Sequence, residues 1–174
     1  GSNNVASMLW HHLVEQKQLG LTGPVKEIKL VFDNCVGQNK NNMVLRMLIL
    51  LVKLKICLKT TAIFLVRGHT KNDADRAYNL LKLLYRKRNI YIPEDLWGAM
   101  NEQENFNAVL LTSEIFKDWK EKEDKYLREI KDVTKYHIFS VDATDSDVMY
   151  CQGYDGLLVV KQPLVKKTAP TDWY

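Results

Sequence analysis

The spacing of apolar residues along the chain predicts alternating strands and helices. Residues 27–35 alternate apolar and polar side chains, which predicts a strand, and the β-branched and aromatic run 61–66 predicts a second, buried strand. Between them, residues 43–55 are apolar on nearly every side, as expected of a helix packed against a sheet. A further helix is predicted from Asp73. This order predicts a parallel strand pair joined by a crossover, and therefore an α/β sheet.

The remaining pattern predicts a helix over 8–18, a strand over 106–112 and a helix capped by Ser113. Two further strands are predicted over 137–141 and 148–160, the second folding into a hairpin around residues 153–156. Gly1-Ser2 resembles a cloning remnant and is left out of these predictions. The pattern has no internal repeat and no linker, so we expect residues 1–174 to form one domain.

Composition adds a strong asymmetry of charge. The formal net charge is +4, yet residues 40–90, the basic segment, hold twelve Lys and Arg against only Asp73 and Asp75. Such an excess indicates a polyanionic partner, and a solvated basic helix face is the alternative. Three dispersed cysteines argue against a disulfide framework or a zinc ribbon and favour a reducing compartment. The most apolar stretch, 43–66, is interrupted by four basic residues, so we expect a soluble protein without a membrane span.

Two polar loops follow the two predicted strands. In the first, Asp33 ends the strand, and the amides of Asn34, Gln38, Asn39 and Asn41 follow it. Because sites form at the carboxyl ends of parallel strands, this loop predicts a site that holds a carboxylate and positions a substrate. The alternative is an Asx-rich turn that caps the next helix.

The second loop contains Gly68-His69-Thr70 and leads to Asp75 in the first turn of the next helix. A helix-borne Asp75 facing a strand-end Asp33 can share a divalent cation such as Mg²⁺, with substrate phosphates completing its ligands. His69 is then a proton carrier, a metal ligand or a phosphate contact. The alternative is that Asp73 and Asp75 only stabilise the helix dipole.

The strings VFDNCVGQNKN (31–41) and RGHTKNDADR (67–76) resemble a eukaryotic family of transposon-derived proteins. That family has a strand-end DNC-x-GQNKN followed by GHT-x4-D, and its core is similar to the RNase H-like fold of DDE transposases and integrases. The resemblance implies an RNase H-like mixed sheet with flanking helices. It also implies that Asp33 is the central acid, Asp75 the helix-borne acid and His69 the accompanying histidine, with Mg²⁺ or Mn²⁺ held by Asp33 and Asp75.

Sites of this class need a third acid, usually on the first strand of the fold. We find no strand-borne acid ahead of Asp33, so we expect it either upstream of Gly1, in an N-terminal part that this chain lacks, or lost. We expect substrate contacts from the following residues: Asn34, Gln38, Asn39, Lys40, Lys71 and Arg76.

The resulting expectation is a nuclear, transposase- or integrase-like nuclease domain that binds DNA or RNA, cleaves or joins phosphodiester bonds and forms a homo-oligomer. The alternatives are a non-catalytic, domesticated nucleic-acid-binding module and an α/β phosphoesterase for small phosphorylated substrates.

Overall fold

A five-stranded mixed sheet forms the centre of the chain in the computed structural model, which describes residues 1–15, 24–66, 73–104 and 106–174. The strands lie side by side in chain order; β1 and β2 are parallel, and every later neighbour is antiparallel. Helices flank this sheet, which confirms the predicted α/β class. The strand bounds are β1 Ile28–Phe32, β2 Lys59–Phe64, β3 Ile138–Asp142, β4 Val148–Gln152 and β5 Val159–Pro163.

The crossover between the parallel strands is helix α2, Asn42–Lys53. Eight of its twelve residues are buried, because this helix packs against the sheet on one side and against other helices elsewhere. The register places Phe32 beside Phe64, so β1 and β2 end at the same level. The predicted strand–helix–strand unit is therefore confirmed. In the part of the chain that the structure describes, no helix combines the length and apolar character needed to cross a membrane.

Three phenylalanines anchor the core across the first three strands. The Phe32 and Phe64 rings stack with centroids 5.3 Å apart, and Phe139 meets Phe64 edge-on at 5.7 Å. Phe64 and Phe139 are fully buried, and burying such a side chain stabilises the fold by about 1.5–3 kcal/mol. These rings give the carboxyl ends of β1 and β2 a rigid base.

Other elements of this part differ from the predictions. The first helix, α1, runs over Ser2–Trp10 and continues as a π-helix over His11–Glu15, while predicted helical residues 16–18 lie outside the described residues. Residues 106–112 form no strand in their described positions, and half of the surface of Val109 and Leu110 is exposed, so the apolar run has no sheet to join. Ser113 begins only a 3₁₀ turn, Ser113–Ile115.

Helix α5, Trp119–Tyr126, is capped instead by Asp118, whose Oδ1 accepts a 3.3 Å hydrogen bond from the Glu121 N–H. The predicted hairpin is confirmed: β4 and β5 are joined through a turn in which Gly156 takes a φ of +70°. A side chain at that backbone conformation would be strained, which explains the glycine. Two more 3₁₀ turns cover Val133–Lys135 and Ala143–Asp145.

The chain divides into two compact units. The first unit contains residues 1–67 and 115–174 and holds the sheet; the second contains residues 68–114. The second unit holds α3, Asp73–Arg86, which was predicted, and α4, Pro93–Asn101, which was not. Pro93 starts α4, where its missing N–H costs nothing, and an ion pair joins Arg88 to Glu102. One domain over 1–174 stays a prediction.

Candidate functional site

Asp33 lies where the parallel strands end. It directly follows β1, it is exposed, and the Leu65 N–H beyond β2 donates to the Phe32 carbonyl at 3.0 Å. His137, the residue before β3, reaches the same end, since its carbonyl accepts from the Phe64 N–H at 2.7 Å. We call this end of the sheet the carboxyl end. The carboxylate of Asp33 therefore faces solvent from the position that the sequence predicts for a site.

The loop after β1 folds back to hold that carboxylate. The N–H groups of Asn39 and Lys40 both donate to the Cys35 carbonyl, at 2.8 and 3.0 Å. This turn brings the Asn39 amide to Asp33, where Nδ2 donates to Oδ1 at 2.5 Å. One hydrogen bond uses only part of the acceptor capacity of a carboxylate, so Asp33 is oriented yet still able to bind a hard cation through oxygen.

Other amides of the loop have structural partners. The Asn41 side chain caps α2, because its Oδ1 accepts from the Val44 N–H at 3.2 Å, which confirms the helix-capping alternative for this residue. Asn42 makes two bonds to the main chain of Ile130, accepting from its N–H at 2.6 Å and donating to its carbonyl at 3.2 Å. Gln38 is exposed and Asn34 half-buried at the turn, so the predicted substrate contact of these two stays a prediction.

Lys40 is not at the surface, contrary to the expected substrate contact. It is 1% exposed, its Nζ donates to the Thr134 carbonyl at 3.3 Å, and the ammonium lies 5.6 Å from the centre of the Phe64 ring. Burial lowers the pKa of Lys40. A side chain enclosed in this way cannot reach a bound polyanion, so its position corresponds to a structural cation beneath the loop.

His137 is a candidate that the sequence did not indicate. Its Nδ1 is buried without a hydrogen-bond partner among the described residues, and its ring lies 6.0 Å from that of Tyr154. Burial, with a smaller contribution from the Lys40 charge, lowers the pKa of His137. From the strand register, its Cα lies roughly 10 Å from that of Asp33, two strand spacings away. Only the antiparallel pairing of β3 with β2, which no local pattern encodes, places it there.

Two strand-flanking acids lie at the wrong end to complete the site. Glu27 precedes β1, and its hydrogen bond from Thr61, the first of several contacts, lowers its pKa. Six residues of extended chain separate it from Asp33, about 20 Å. Asp142 is paired with Lys59 at the start of β2 and therefore also lies away from the carboxyl end. Neither acid can share a cation with Asp33.

The second predicted loop is described only from α3 onward. His69 and Lys71 lie outside the described residues, and Asp75 and Arg76 are exposed on α3, in the second unit. The predicted meeting of Asp33 with Asp75 and His69 stays a prediction. Within the described residues no three His, Cys, Asp or Glu side chains gather into a metal-binding group.

One face of α3 combines aromatic and basic side chains. At 100° per residue, five exposed positions share this face: Asp75, Tyr78, Lys82, Tyr85 and Arg86. We call it the α3 stripe. Its tyrosines are 64% and 44% exposed. Stacking rings beside cations are what single-stranded nucleic acids bind.

The basic side chains of the basic segment fall into two groups, those that are buried or paired within the fold and those that are exposed. Lys40 and Arg46 are buried, while Lys53 pairs with Asp147 and Lys59 with Glu27, at 3.7 Å for the latter. In the described part of the segment, the exposed basic side chains lie mostly on and after α3. The polyanionic partner of the basic segment stays a prediction, and part of its charge is used inside the fold, because lysine and arginine stems also serve as packing groups.

A family model described as Domain of unknown function (DUF7869) matches residues 1–155, nearly the whole chain. No curated protein and no solved structure matches the chain.

Proposed function

The chain belongs to the family described as Domain of unknown function (DUF7869), and since that description names no activity, we propose a function from the site itself. The chain is a transposase-like, RNase H-like domain that binds DNA and cleaves or joins phosphodiester bonds with Mg²⁺ or Mn²⁺. The observation that carries the proposal is Asp33, an exposed carboxylate at the end of a parallel strand, oriented by Asn39.

The carboxylate of Asp33 suits a hard cation. Asp33 supplies carboxylate oxygen, and Asp75 is the second acid that the motif resemblance assigns to the same ion. Such an ion would polarise a phosphodiester oxygen and lower the pKa of a bound water. The chain's own residues position the acid: Asn39 fixes the Asp33 rotamer, and the Phe32–Phe64 stack holds the strand ends beneath it.

A second function is favoured by a different observation. The α3 stripe offers rings and cations for nucleic acid without any metal. The strand-flanking acids Glu27 and Asp142 lie at the end of the sheet away from Asp33 and cannot join it at a metal. A non-catalytic nucleic-acid-binding module needs only the α3 stripe. With either function, we also propose that the protein is nuclear and that it self-associates.

One experiment separates these functions. Relaxation of supercoiled plasmid is measured with Mg²⁺, Mn²⁺ or EDTA for wild type, Asp33→Asn, Asp75→Asn and the control Asp142→Asn. The nuclease predicts metal-dependent nicking that both site variants lose and the control retains, because Asn at 142 still caps its turn and lies at the other end of the sheet. Nicking by Asp33→Asn at the wild-type rate rejects the assignment.

DNA binding by the same proteins tests the second function. It predicts salt-sensitive binding that is unchanged by EDTA and by Asp75→Asn, weakened by Lys82→Glu with Arg86→Glu, and retained by Lys120→Glu with Lys131→Glu. Equal weakening in both double variants would show that binding depends only on net charge and that the α3 stripe is not the binding surface. Turnover of a generic phosphate ester without DNA affinity would favour the phosphoesterase alternative.

A further inference from the structure

The second unit leaves most of its large apolar side chains exposed. Among its described residues only Ala99 is buried. Leu80 and Leu83 on α3 are each 53% exposed, and Tyr91 and Ile92, between the two helices, are more than half exposed. A unit of this size rarely completes a core by itself, and association with another chain is one usual way to do so. Contact with a partner would remove these side chains from water.

A groove of about 630 Å³ lies beside α3, and its apolar lining is Leu80, Leu83, Leu84 and Phe106. The chain that carries Phe106 is bonded back to α4. Asn101 accepts from the Ala108 N–H at 2.8 Å and donates to the Ala108 carbonyl at 3.1 Å. The Trp97 Nε1–H donates to the same carbonyl at 2.9 Å. The groove is therefore formed within the second unit, and three hydrogen bonds hold one of its walls.

Charged side chains of opposite sign also line the groove. Lys87 and Arg88 follow α3, and Glu102 and Glu104 follow α4. Arg88 and Glu102 pair with each other. Lys87 and Glu104 are exposed, and neither has an ion-pair partner in the part of the chain that the structure describes. A partner that carries the same two charges in the opposite order would match both.

The same separation of charge holds over the whole of this unit after Asp75. Residues 76–88 contain five Lys and Arg and no acid, and residues 89–114 contain five acids and no Lys or Arg. Such a surface is complementary to its own copy, because a two-fold axis places the basic part of one copy against the acidic part of the other. A polyanion would be attracted by the first part and repelled by the second. The charges therefore favour a second copy of the chain as the partner.

The groove and the α3 stripe lie on different sides of α3. At 100° per residue, Leu80, Leu83 and Lys87 lie within about 60° of one another, and the centre of this group is roughly 140° from the centre of the α3 stripe. Association through the groove therefore leaves the α3 stripe free for nucleic acid.

We propose that two copies of this chain associate about a two-fold axis that places the groove of each copy against the groove of the other. Leu80 and Leu83 are buried in this contact, and Lys87 of each copy pairs with Glu104 of the other. The inference rests on the self-association proposed above and names its surface, and it needs neither metal nor nucleic acid. A contact built on one groove is at the small end of specific interfaces, so we expect a dimer Kd on the order of 10 µM.

Sedimentation velocity of the whole chain, freed of nucleic acid, tests the apolar part of the contact from about 1 to about 200 µM, a range that brackets the expected Kd. Leu80→Ser combined with Leu83→Ser should raise the dimer Kd about tenfold or more, because each substitution removes an apolar contact on both sides of the two-fold axis. The control Tyr78→Ser removes a 64% exposed ring from the other side of α3 and should leave Kd within about twofold.

Reversal of the two groove charges tests the polar part. Lys87→Glu and Glu104→Lys should each raise Kd about fivefold or more at low salt, since each places like charges together twice. The double charge variant and an equimolar mixture of the two single variants both restore opposite charges at these contacts, so both should dimerise within about threefold of wild type. The control Lys120→Glu makes the same change of net charge at an exposed position of the first unit and should dimerise as wild type does.

Dimerisation of wild type, its weakening in the leucine and single charge variants, and its recovery in the double charge variant and in the mixture support the proposal. Three results overturn it: a wild-type monomer at every concentration, wild-type Kd in the leucine and single charge variants, or no recovery in the double charge variant and the mixture. The first result also rejects self-association, whereas the other two reject only this surface. The plasmid and DNA-binding assays test the rest of the proposed function separately. Circular dichroism melts report folding, and the charge variants, at exposed side chains, keep the test decisive should the leucine variant not fold.

Discussion

Replacing Glu123 by Gln should remove a large pH dependence of stability. The pKa of this carboxyl is raised from 4.5 to about 9 in the folded protein, chiefly by burial and against the opposing effect of Arg46. Asp124, which is half exposed, supplies the negative charge that Arg46 needs, so nothing forces Glu123 to ionise. The folded state therefore keeps a proton that the unfolded chain releases above pH 4.5.

The sign and size of the effect follow from proton linkage. Because the folded pKa is the higher one, stability is fully present below the unfolded pKa and is lost as pH rises toward 9. The free energy of unfolding should fall by about 1.4 kcal/mol per pH unit in this window, roughly 3 kcal/mol between pH 6 and pH 8. A loss of that size is large against a typical total of about 5–15 kcal/mol.

Urea unfolding at closely spaced pH values from 5 to 9 measures this slope. Glu123→Gln retains the shape of the side chain but cannot titrate, and every other group is common to both proteins, including His137 and Lys40, whose lowered pKa values act with the opposite sign. The difference between the two curves should therefore grow with pH, with the variant the more stable protein above neutrality. Parallel curves would refute the burial argument and show that Glu123 is ionised in the fold.

Two further substitutions test the loop beneath Asp33 by urea unfolding. Lys40→Met should leave the free energy of unfolding unchanged or raise it by about 1 kcal/mol, because an apolar side chain of similar length avoids the desolvation of a buried ammonium. A loss above about 3 kcal/mol would show that the contacts of Lys40 with Thr134 and Phe64 outweigh this desolvation. Asn42→Ala should lower the free energy of unfolding by about 2–4 kcal/mol, since it leaves a donor and an acceptor of Ile130 without partners. The control Gln38→Ala, at an exposed side chain, should change it by less than about 0.5 kcal/mol. Equal effects of the two substitutions would show that the Asn42–Ile130 hydrogen bonds do not stabilise the fold.

The α/β framework was predictable because its signals are local. Alternation in β1, the apolar run of α2 and the β-branched residues of β2 each determine an element without reference to the rest of the chain. Asp33 followed from the same logic, since the position of a polar residue directly after a strand is fixed by that strand. The hairpin of β4 and β5 was likewise signalled by its glycines.

The errors share a different physical cause, namely that burial is decided by distant partners. Lys40, which was expected to contact substrate, and Glu123 both occur in polar stretches of the sequence. Each is buried because a residue far away in the sequence provides its surroundings: Thr134 for Lys40 and Arg46 for Glu123. His137 reaches the carboxyl end only through strand pairing. The spacing of hydrophobic residues along the sequence does not predict contacts of this kind.

The loop after β1 and the start of α2 are hydrogen-bonded to the C-terminal half of the chain, which should delay their ordering during folding. Lys40, Asn42 and Arg46 each bond to the main chain of a residue between 82 and 94 positions later: Thr134, Ile130 and Arg128. Contacts of such high contact order form only after a large loop has closed, so they come late. The β1–α2–β2 unit can collapse early on its own local contacts. The arrangement that presents Asp33 should then become ordered among the last steps, when residues 128–134 dock.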